Sequence, residues 1–331
     1  MKTSLHLGKT AIRTQKKAVE GEWVRVEGNE LYKIRNYDQM RPFFISVVSD
    51  ADHWMFISSN GGLTAGRRDA DHALFPYYTD DKIRDQAEIT GSKTILRVRL
   101  RSKEYLWEPF SERGHGAYRI ERNLLKNLWG NQLLFEEVNQ DLGLTFRYGW
   151  FNSQKFGWIR RSWLENTSKN RIPVIFLDGI QNLMPSGVRN QFNLGFSTLL
   201  DAYKRNELLP KVGLGIFRLS AIPVDRPEPA EALLATAAWS VGISWKNLLL
   251  SSQQLNAFRS GQTIRTETDI CGERGAYFLS GQKILQPKQS IDWLIAADVD
   301  QSAADLVLLQ KSLQDSLPLK TRVLDDIKKG T

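Results

Sequence analysis

YRIERNLLKNLWGNQLLFEEVNQDLGLTFRYGW, residues 118 to 150, decides the fold. It holds three strand-like runs: Tyr118 to Leu124, Gln132 to Val138 and Leu142 to Trp150. Trp129-Gly130-Asn131 and Asn139-Gln140-Asp141 separate them. Runs of this length with turn residues between them predict an antiparallel meander.

The same pattern continues on both sides. Upstream, Trp23 to Glu27 and Leu31 to Arg35 flank the turn signal Gly28-Asn29, and PFFISVV (42 to 48) reads as a buried strand paired with His53 to Ser58. Thr94 to Arg101 alternates, and Tyr105 to Pro109 is a shorter strand. Downstream, Phe156 to Glu165, Ile172 to Asp178, Gly213 to Ile222, Leu233 to Ile243, Glu273 to Ser280 and Ser290 to Ala297 read as strands. Gly179 to Gly187 reads as a loop of special composition, and the proline-rich segment Pro223 to Glu231 as a loop. Helical spacing is confined to Ser197–Leu209, whose middle also suits an extended segment, to Ser251–Arg259, and to Gln301–Leu317, with Ser302 and Asp305 as a capping pair.

Roughly fifteen strand signals against few helical ones exceed a simple small sandwich. The expected fold is all-β: two large packed antiparallel sheets closed by a C-terminal helix. No internal repeat points to a propeller. The expected organisation is a poorly ordered start over 1–20, a sandwich over 21–298 and a helical linker segment over 299–331.

Bulk properties narrow the function classes. The 331-residue chain is 41% hydrophobic and 25% charged, as expected of a globular protein. Its net charge of +8 invites a nucleic-acid reading, but the basic residues are dispersed. Arg97, Arg99 and Arg101 alternate with apolar residues as on the solvent face of a strand. No apolar run reaches bilayer length, so no membrane span is expected. The N-terminus lacks an apolar signal-peptide core, and Cys271 is the sole cysteine. The expected location is cytoplasmic. The ten Trp, nine Tyr and fifteen Phe exceed what core filling needs, which suits flat apolar platforms for partly polar ligands.

One stretch stands apart: WMFISSNGGLTAGRRDADHALFPYYTDDKI, Trp54 to Ile83. It begins as a strand, breaks at Ser58 to Gly62 and then reads as a long ordered loop. Loops of that length in a compact domain are usually functional or disordered, and this one is too aromatic to be disordered. Gly61, Gly62 and Gly66 permit positive φ and close backbone approach. Arg67 and Arg68 offer forked donors for carboxylates or sugar hydroxyls. Asp69, Asp80 and Asp81 suit loop-fixing ion pairs or Asx turns, and more weakly a carboxylate pair for glycoside chemistry. Tyr77 and Tyr78 suit stacking on a pyranose, one of them being better read as a plug. Trp54, Trp150 and Trp158 are further candidates for sugar stacking.

Motifs of other chemistries are missing. There is no P-loop, dinucleotide fingerprint or nucleophile elbow. His6, His53, His72 and His115 lack metal-ligand spacing, so neither a metal nor a cofactor is expected.

Three segments together carry a resemblance: NGGLTAGRRDADHALFPYYTDDKI (60 to 83), FGWIRRSWLENTSKNRIPVIFLDGIQNLMP (156 to 185) and RPEPAEALLATAAWSVGI (226 to 243). They resemble the N-terminal sandwich of cellobiose phosphorylase-type glycoside phosphorylases and related inverting hydrolases. That resemblance implies a galactose mutarotase-like supersandwich, followed in the parent protein by a helical linker and a catalytic (α/α)6 barrel. The general acid would lie in that barrel. The chain would then be a non-catalytic domain that assists binding of a glucose- or galactose-type saccharide, or domain and subunit assembly, with a homodimer among its partners. The 59–81 stretch would be its contact loop. Two other readings stand beside it. One is an aldose epimerase-like or lyase-like enzyme on the same fold, with His72 near Asp69 and Asp71 as its only local acid–base combination. The other is a protein-interaction module.

Overall fold

The meander forms where its pattern places it, as the strands Ile120–Asn127, Leu133–Asn139 and Leu144–Ser153. Phe135 lies opposite Leu124 on one side and Tyr148 on the other. Its ring stacks on Tyr148 at 4.9 Å. The computed structural model describes residues 5–7, 9–13, 17–221 and 232–330, with backbone alone for Leu7, Thr10, Asp80, Ser316 and Leu317. The expected loop at Pro223–Glu231 lies outside the described residues, as does part of the expected poorly ordered start. Within that start, His6–Leu7 pairs with Thr10–Ala11.

The meander is the middle of an eleven-stranded antiparallel sheet. From one edge its strands run Asp269–Cys271, Lys204–Leu209, Leu214–Leu219, Ala235–Val241, Ser290–Gln301 and Gly157–Asn166. The three meander strands follow in reverse order, and the Asn29–Arg35 and Glu20–Val26 hairpin closes the other edge. A five-stranded sheet, built around Ile172–Leu183, and a four-stranded sheet, Phe44–Val47 to Ala73–Phe75, form the second layer. These two smaller sheets meet where the Met184 N–H donates to the Leu74 carbonyl at 2.9 Å. The fold is therefore the expected all-β sandwich with a helical C-terminal segment.

The main core lies between the layers. Leu133, Phe135, Phe146, Trp150 and Trp293 come from the large sheet, Leu96, Val98 and Phe176 from the five-stranded sheet, and Met55, Ile57 and Phe75 from the four-stranded sheet. Each fully buried aliphatic or Phe side chain here contributes roughly 2 kcal/mol.

The outer face of the large sheet is also covered. Leu134, Trp239, Leu294 and Ala296 pack against Leu313, Leu319, Val323 and Ile327 of two C-terminal helices, Ala303–Leu313 and Ser316–Lys329. Ser302 and Asp305 form the expected capping box on the first helix. The expected helical segment over 299–331 is thus two helices where helical spacing had been read only to Leu317; in the second, Leu319, Val323 and Ile327 recur every four residues on one face. The first helix also faces differently from its apparent periodicity: Val307 and Leu308 are 49% and 62% exposed.

Two further expectations are corrected. Gly179 to Gly187 is not all loop, since the strand from Ile172 continues to Leu183. Gly179 makes this possible: a Cβ there would lie 2.1 Å from the Tyr277 carbonyl oxygen of the neighbouring strand. Ser197–Leu209 is divided, with a helix over Asn190–Tyr203, kinked at Phe196, and a strand over Lys204–Leu209.

Charge is used on the meander's outer side. Glu136 accepts from Lys33 Nζ and Asn123 Nδ2, both at 3.0 Å, and from Arg147. Burial raises the Glu136 carboxyl, but Arg147 and Lys33 beside it outweigh burial and hold it at about 2. A depressed carboxyl contributes stability that is complete above its ordinary value near 4.5 and is lost as pH falls toward 2. We expect roughly 3 kcal/mol to disappear over that window. Urea midpoints from pH 6 to pH 2.5 measure it, and Glu136→Gln should flatten the profile. Equal acid sensitivity in both proteins would refute the assignment.

Candidate functional site

The Trp54–Ile83 stretch is not a long loop. His53–Ser58 turns through Ser58 to Gly62 into Leu63–Arg67, and Ala73–Phe75 completes the four-stranded sheet. A helical turn at Ala70–His72 and the Asp80–Asp85 helix fill the remainder. Gly61 has φ of +93° and donates its N–H to the Ser58 carbonyl at 2.8 Å, closing the turn. Gly62 serves packing: a Cβ there would lie 2.0 Å from the Ile83 carbonyl oxygen of the short helix.

The paired arginines clamp the last strand of the large sheet. Arg67 Nη1 donates to Asp298 Oδ2 at 3.0 Å, while its Nε and Nη2 reach Asp52 Oδ1 at 2.9 and 2.7 Å. Arg68 Nη2 donates to Asp300 Oδ2 at 2.7 Å, and Ser186 Oγ donates to the other oxygen of Asp300 at 2.6 Å. Burial pushes the Asp298 carboxyl up to about 6 even though Arg67 pulls the other way. His53 is buried against the Trp158 ring, centroids 5.3 Å apart, and burial lowers its imidazole to about 4.

The remaining acids are local. Asp69 caps the Ala70–His72 turn, accepting from the Asp71 N–H at 2.9 Å and pairing with His72 Nδ1 at 2.8 Å. His72 Nε2 lies 3.7 Å from Asp300 Oδ2, so the ring sits between Asp69 and the clamp. Asp81 accepts from Thr79 Oγ1 at 2.5 Å at the start of its helix, which Asp80 opens. The Thr79 hydrogen bond is the chief cause of the lowered Asp81 carboxyl. Among the described residues no group of three or more His, Cys, Asp or Glu is placed to hold a metal ion.

The aromatic candidates separate by face. Trp150 and Trp158 are fully buried and present no ring face to a ligand. Trp158 Nε1 donates to the Gly66 carbonyl at 3.1 Å. Met55 and Ile57 point into the core, so Trp54 and Phe56 point outward. There they form a strip: Phe44 to Phe56 at 5.5 Å, Phe56 to Trp54 at 6.2 Å and Trp54 to Tyr77 at 5.5 Å between centroids. Phe44 is 42% and Tyr77 38% exposed. Trp54 is fixed in place, its Nε1 shared between the Arg67 and Asp69 carbonyls at 3.2 Å each. Tyr78 is half-buried, with Lys82 Nζ 5.9 Å from its ring centre.

No family profile matches the chain. No curated protein matches it. Among solved structures it is similar to a bacterial glucoamylase complexed with acarbose, with a TM-score of 0.45 and 11% identity, covering 94% of this chain and 40% of that one. It is also similar to a polysaccharide lyase, with a TM-score of 0.43 and 9% identity, covering 82% and 34%. A third is the 4-alpha-glucanotransferase of Thermococcus litoralis, with a TM-score of 0.30 and 9% identity, covering 85% and 39%. The chain thus spans 40% or less of the length of each.

Sequence reasoning had singled out Trp54 and Tyr77 but missed Phe44 and Phe56. The signal for Phe56 was present, because residues i and i+2 of a strand share a face. Asp52, Asp298 and Asp300 were also missed. Their pairing with the arginines joins segments up to 232 residues apart, which no local pattern reports. Chemically, the site combines a row of aromatic rings, stacked at Phe44–Phe56 and edge-to-face at Trp54–Tyr77, with charged hydrogen-bonding groups at one end.

Proposed function

We propose that the chain is a non-catalytic, saccharide-binding β-sandwich domain of a carbohydrate-active protein, with the aromatic strip as its binding face. The observation that carries this reading is the row Phe44, Phe56, Trp54 and Tyr77 on the outside of the four-stranded sheet. An aromatic ring matches a pyranose in size and offers its apolar face to the sugar's C–H groups. Several rings in a row suit an oligosaccharide better than a single sugar. Arg68 and Asp69, exposed beside Trp54, supply donors and acceptors for hydroxyl groups. Arg67, held by Asp52 and Asp298, reads as structural, and catalysis is assigned elsewhere, to a barrel of the kind that the sequence resemblance implies. A role in domain or subunit assembly beside it draws on Val307 and Leu308, exposed on the first C-terminal helix.

The test is calorimetric or NMR titration with glucose- and galactose-based disaccharides and their longer oligomers. Millimolar binding is expected, stronger for longer chains. Trp54→Ala should weaken it at least about tenfold, or ~1.4 kcal/mol. If no saccharide perturbs the protein at millimolar concentration, the binding reading fails.

A further inference from the structure

The large sheet and the five-stranded sheet are joined by a short strap, residues 242–246, between Ala235–Val241 and Asn247–Leu249. Beneath the Ser316–Lys329 helix this strap bounds a groove of about 600 Å³. That size is typical of a small-molecule site. Three lysines from separate elements line it: Lys211 before the Leu214–Leu219 strand, Lys283 on Gly275–Leu285, and Lys320 on the helix. No Asp or Glu is among the lining residues.

The lysines are not equivalent. Lys320 Nζ is held by Asp292, 2.9 Å from Oδ1 and 3.1 Å from the carbonyl oxygen. The Lys211 and Lys283 side chains enter no hydrogen bond or ion pair with the described residues. Two ammonium groups on one concave surface repel each other unless an anion lies between them. The floor is kept open by Gly242, at φ of +96°, where a Cβ would lie 3.1 Å from Lys320 Nζ. Ser244, Thr321 and the half-buried Trp245 also line the groove, together with Ser240 and the apolar Val212, Val241, Ile243, Leu313 and Leu324.

We propose that this groove binds a small anionic sugar, in which a phosphate or carboxylate is carried on a hydroxylated ring. Lys211 and Lys283 take the anion, Ser244 and Thr321 take ring hydroxyls, and Trp245 supplies an apolar wall. The site belongs to a different part of the sandwich from the aromatic strip and does not rest on the function proposed for that strip.

The experiment titrates the full chain with glucose 6-phosphate, glucuronate, inorganic phosphate and glucose, following amide shifts by NMR. The expected result is binding of the sugar phosphate or the sugar acid, with shifts centred on Ser244 and Trp245. Lys211→Ala and Lys283→Ala should each weaken binding about tenfold, and added salt should weaken it further. Either acidic sugar alone fulfils the proposal, and the two arms tell phosphate from carboxylate. Inorganic phosphate binding as tightly as the sugar phosphate would overturn the assignment of a sugar. Equal affinity for glucose, indifference to both lysine changes in variants that melt like the wild type, or no binding at millimolar ligand would overturn the site itself.

Discussion

Asp178→Ala will destabilise the fold by about 3–5 kcal/mol, the cost of leaving a buried partner charge uncompensated. Asp178 and Arg160 have no exposed side-chain surface and pair at 2.7 Å. Asp178 Oδ2 also accepts from Trp293 Nε1 at 2.7 Å and Ser162 Oγ at 3.3 Å, and Oδ1 accepts from Thr94 Oγ1 at 2.6 Å. Arg160 donates in turn to Ser92 Oγ and Thr94 Oγ1, both at 3.0 Å, and lies over the Tyr148 ring. Asp178 and Thr94 belong to the five-stranded sheet, whereas Arg160, Ser162 and Trp293 belong to the large one. One carboxylate therefore ties the two layers together through the middle of the core. The pair itself need not add net stability, because desolvating two charges offsets most of their attraction. Asp178→Leu combined with Arg160→Met should accordingly recover much of the loss. Urea unfolding of the single and double variants measures both effects. A single variant within about 1 kcal/mol of wild type would show that the network does not tie the layers together as assigned.

Arg67→Ala is the second large effect, on the order of 3 kcal/mol near pH 8 and less near pH 5. Arg67 is the cation beside Asp298, whose other hydrogen bond comes from the adjacent Val299 N–H at 3.0 Å. The sign follows from the raised carboxyl. Burial places Asp298 at about 6 when folded, above the ordinary 3.8, so folding takes up a proton between those values. Its contribution is without penalty below the ordinary value and grows unfavourable as pH rises through about 6. Without Arg67 the carboxyl moves higher still, and the penalty extends to higher pH. The difference between variant and wild-type urea midpoints should therefore widen from pH 5 to pH 8. An unchanged difference would mean that Arg67 acts through Asp52 alone.

Local pattern and tertiary placement divide cleanly in these residues. Alternation in Thr94 to Arg101, and short apolar runs bounded by turn residues such as Gln132 to Val138 or His53 to Ser58, are properties of neighbouring residues, so strands and their hairpin turns were readable directly. So was the Ser302–Asp305 cap, which spans a single helical turn. The extent of Ile172–Leu183 was not, because Gly179 looks like a loop residue until the backbone of Tyr277 is brought against it. The same holds for Gly62 to Arg67, whose two glycines and one arginine resemble a loop but answer to Ile83, His72, Asp52 and Asp298.

By itself the sequence determined an all-β sandwich with a helical end, since period-two alternation and turn chemistry act within a few residues. It also singled out Trp54 and Tyr77. Only the tertiary structure decided which tryptophans are available to a ligand. Trp54, Trp150 and Trp158 all lie on strands, but burial depends on what covers each face. The core between the layers encloses Trp150 and Trp158, while the outer face of the four-stranded sheet leaves Trp54 in a row with Phe44, Phe56 and Tyr77.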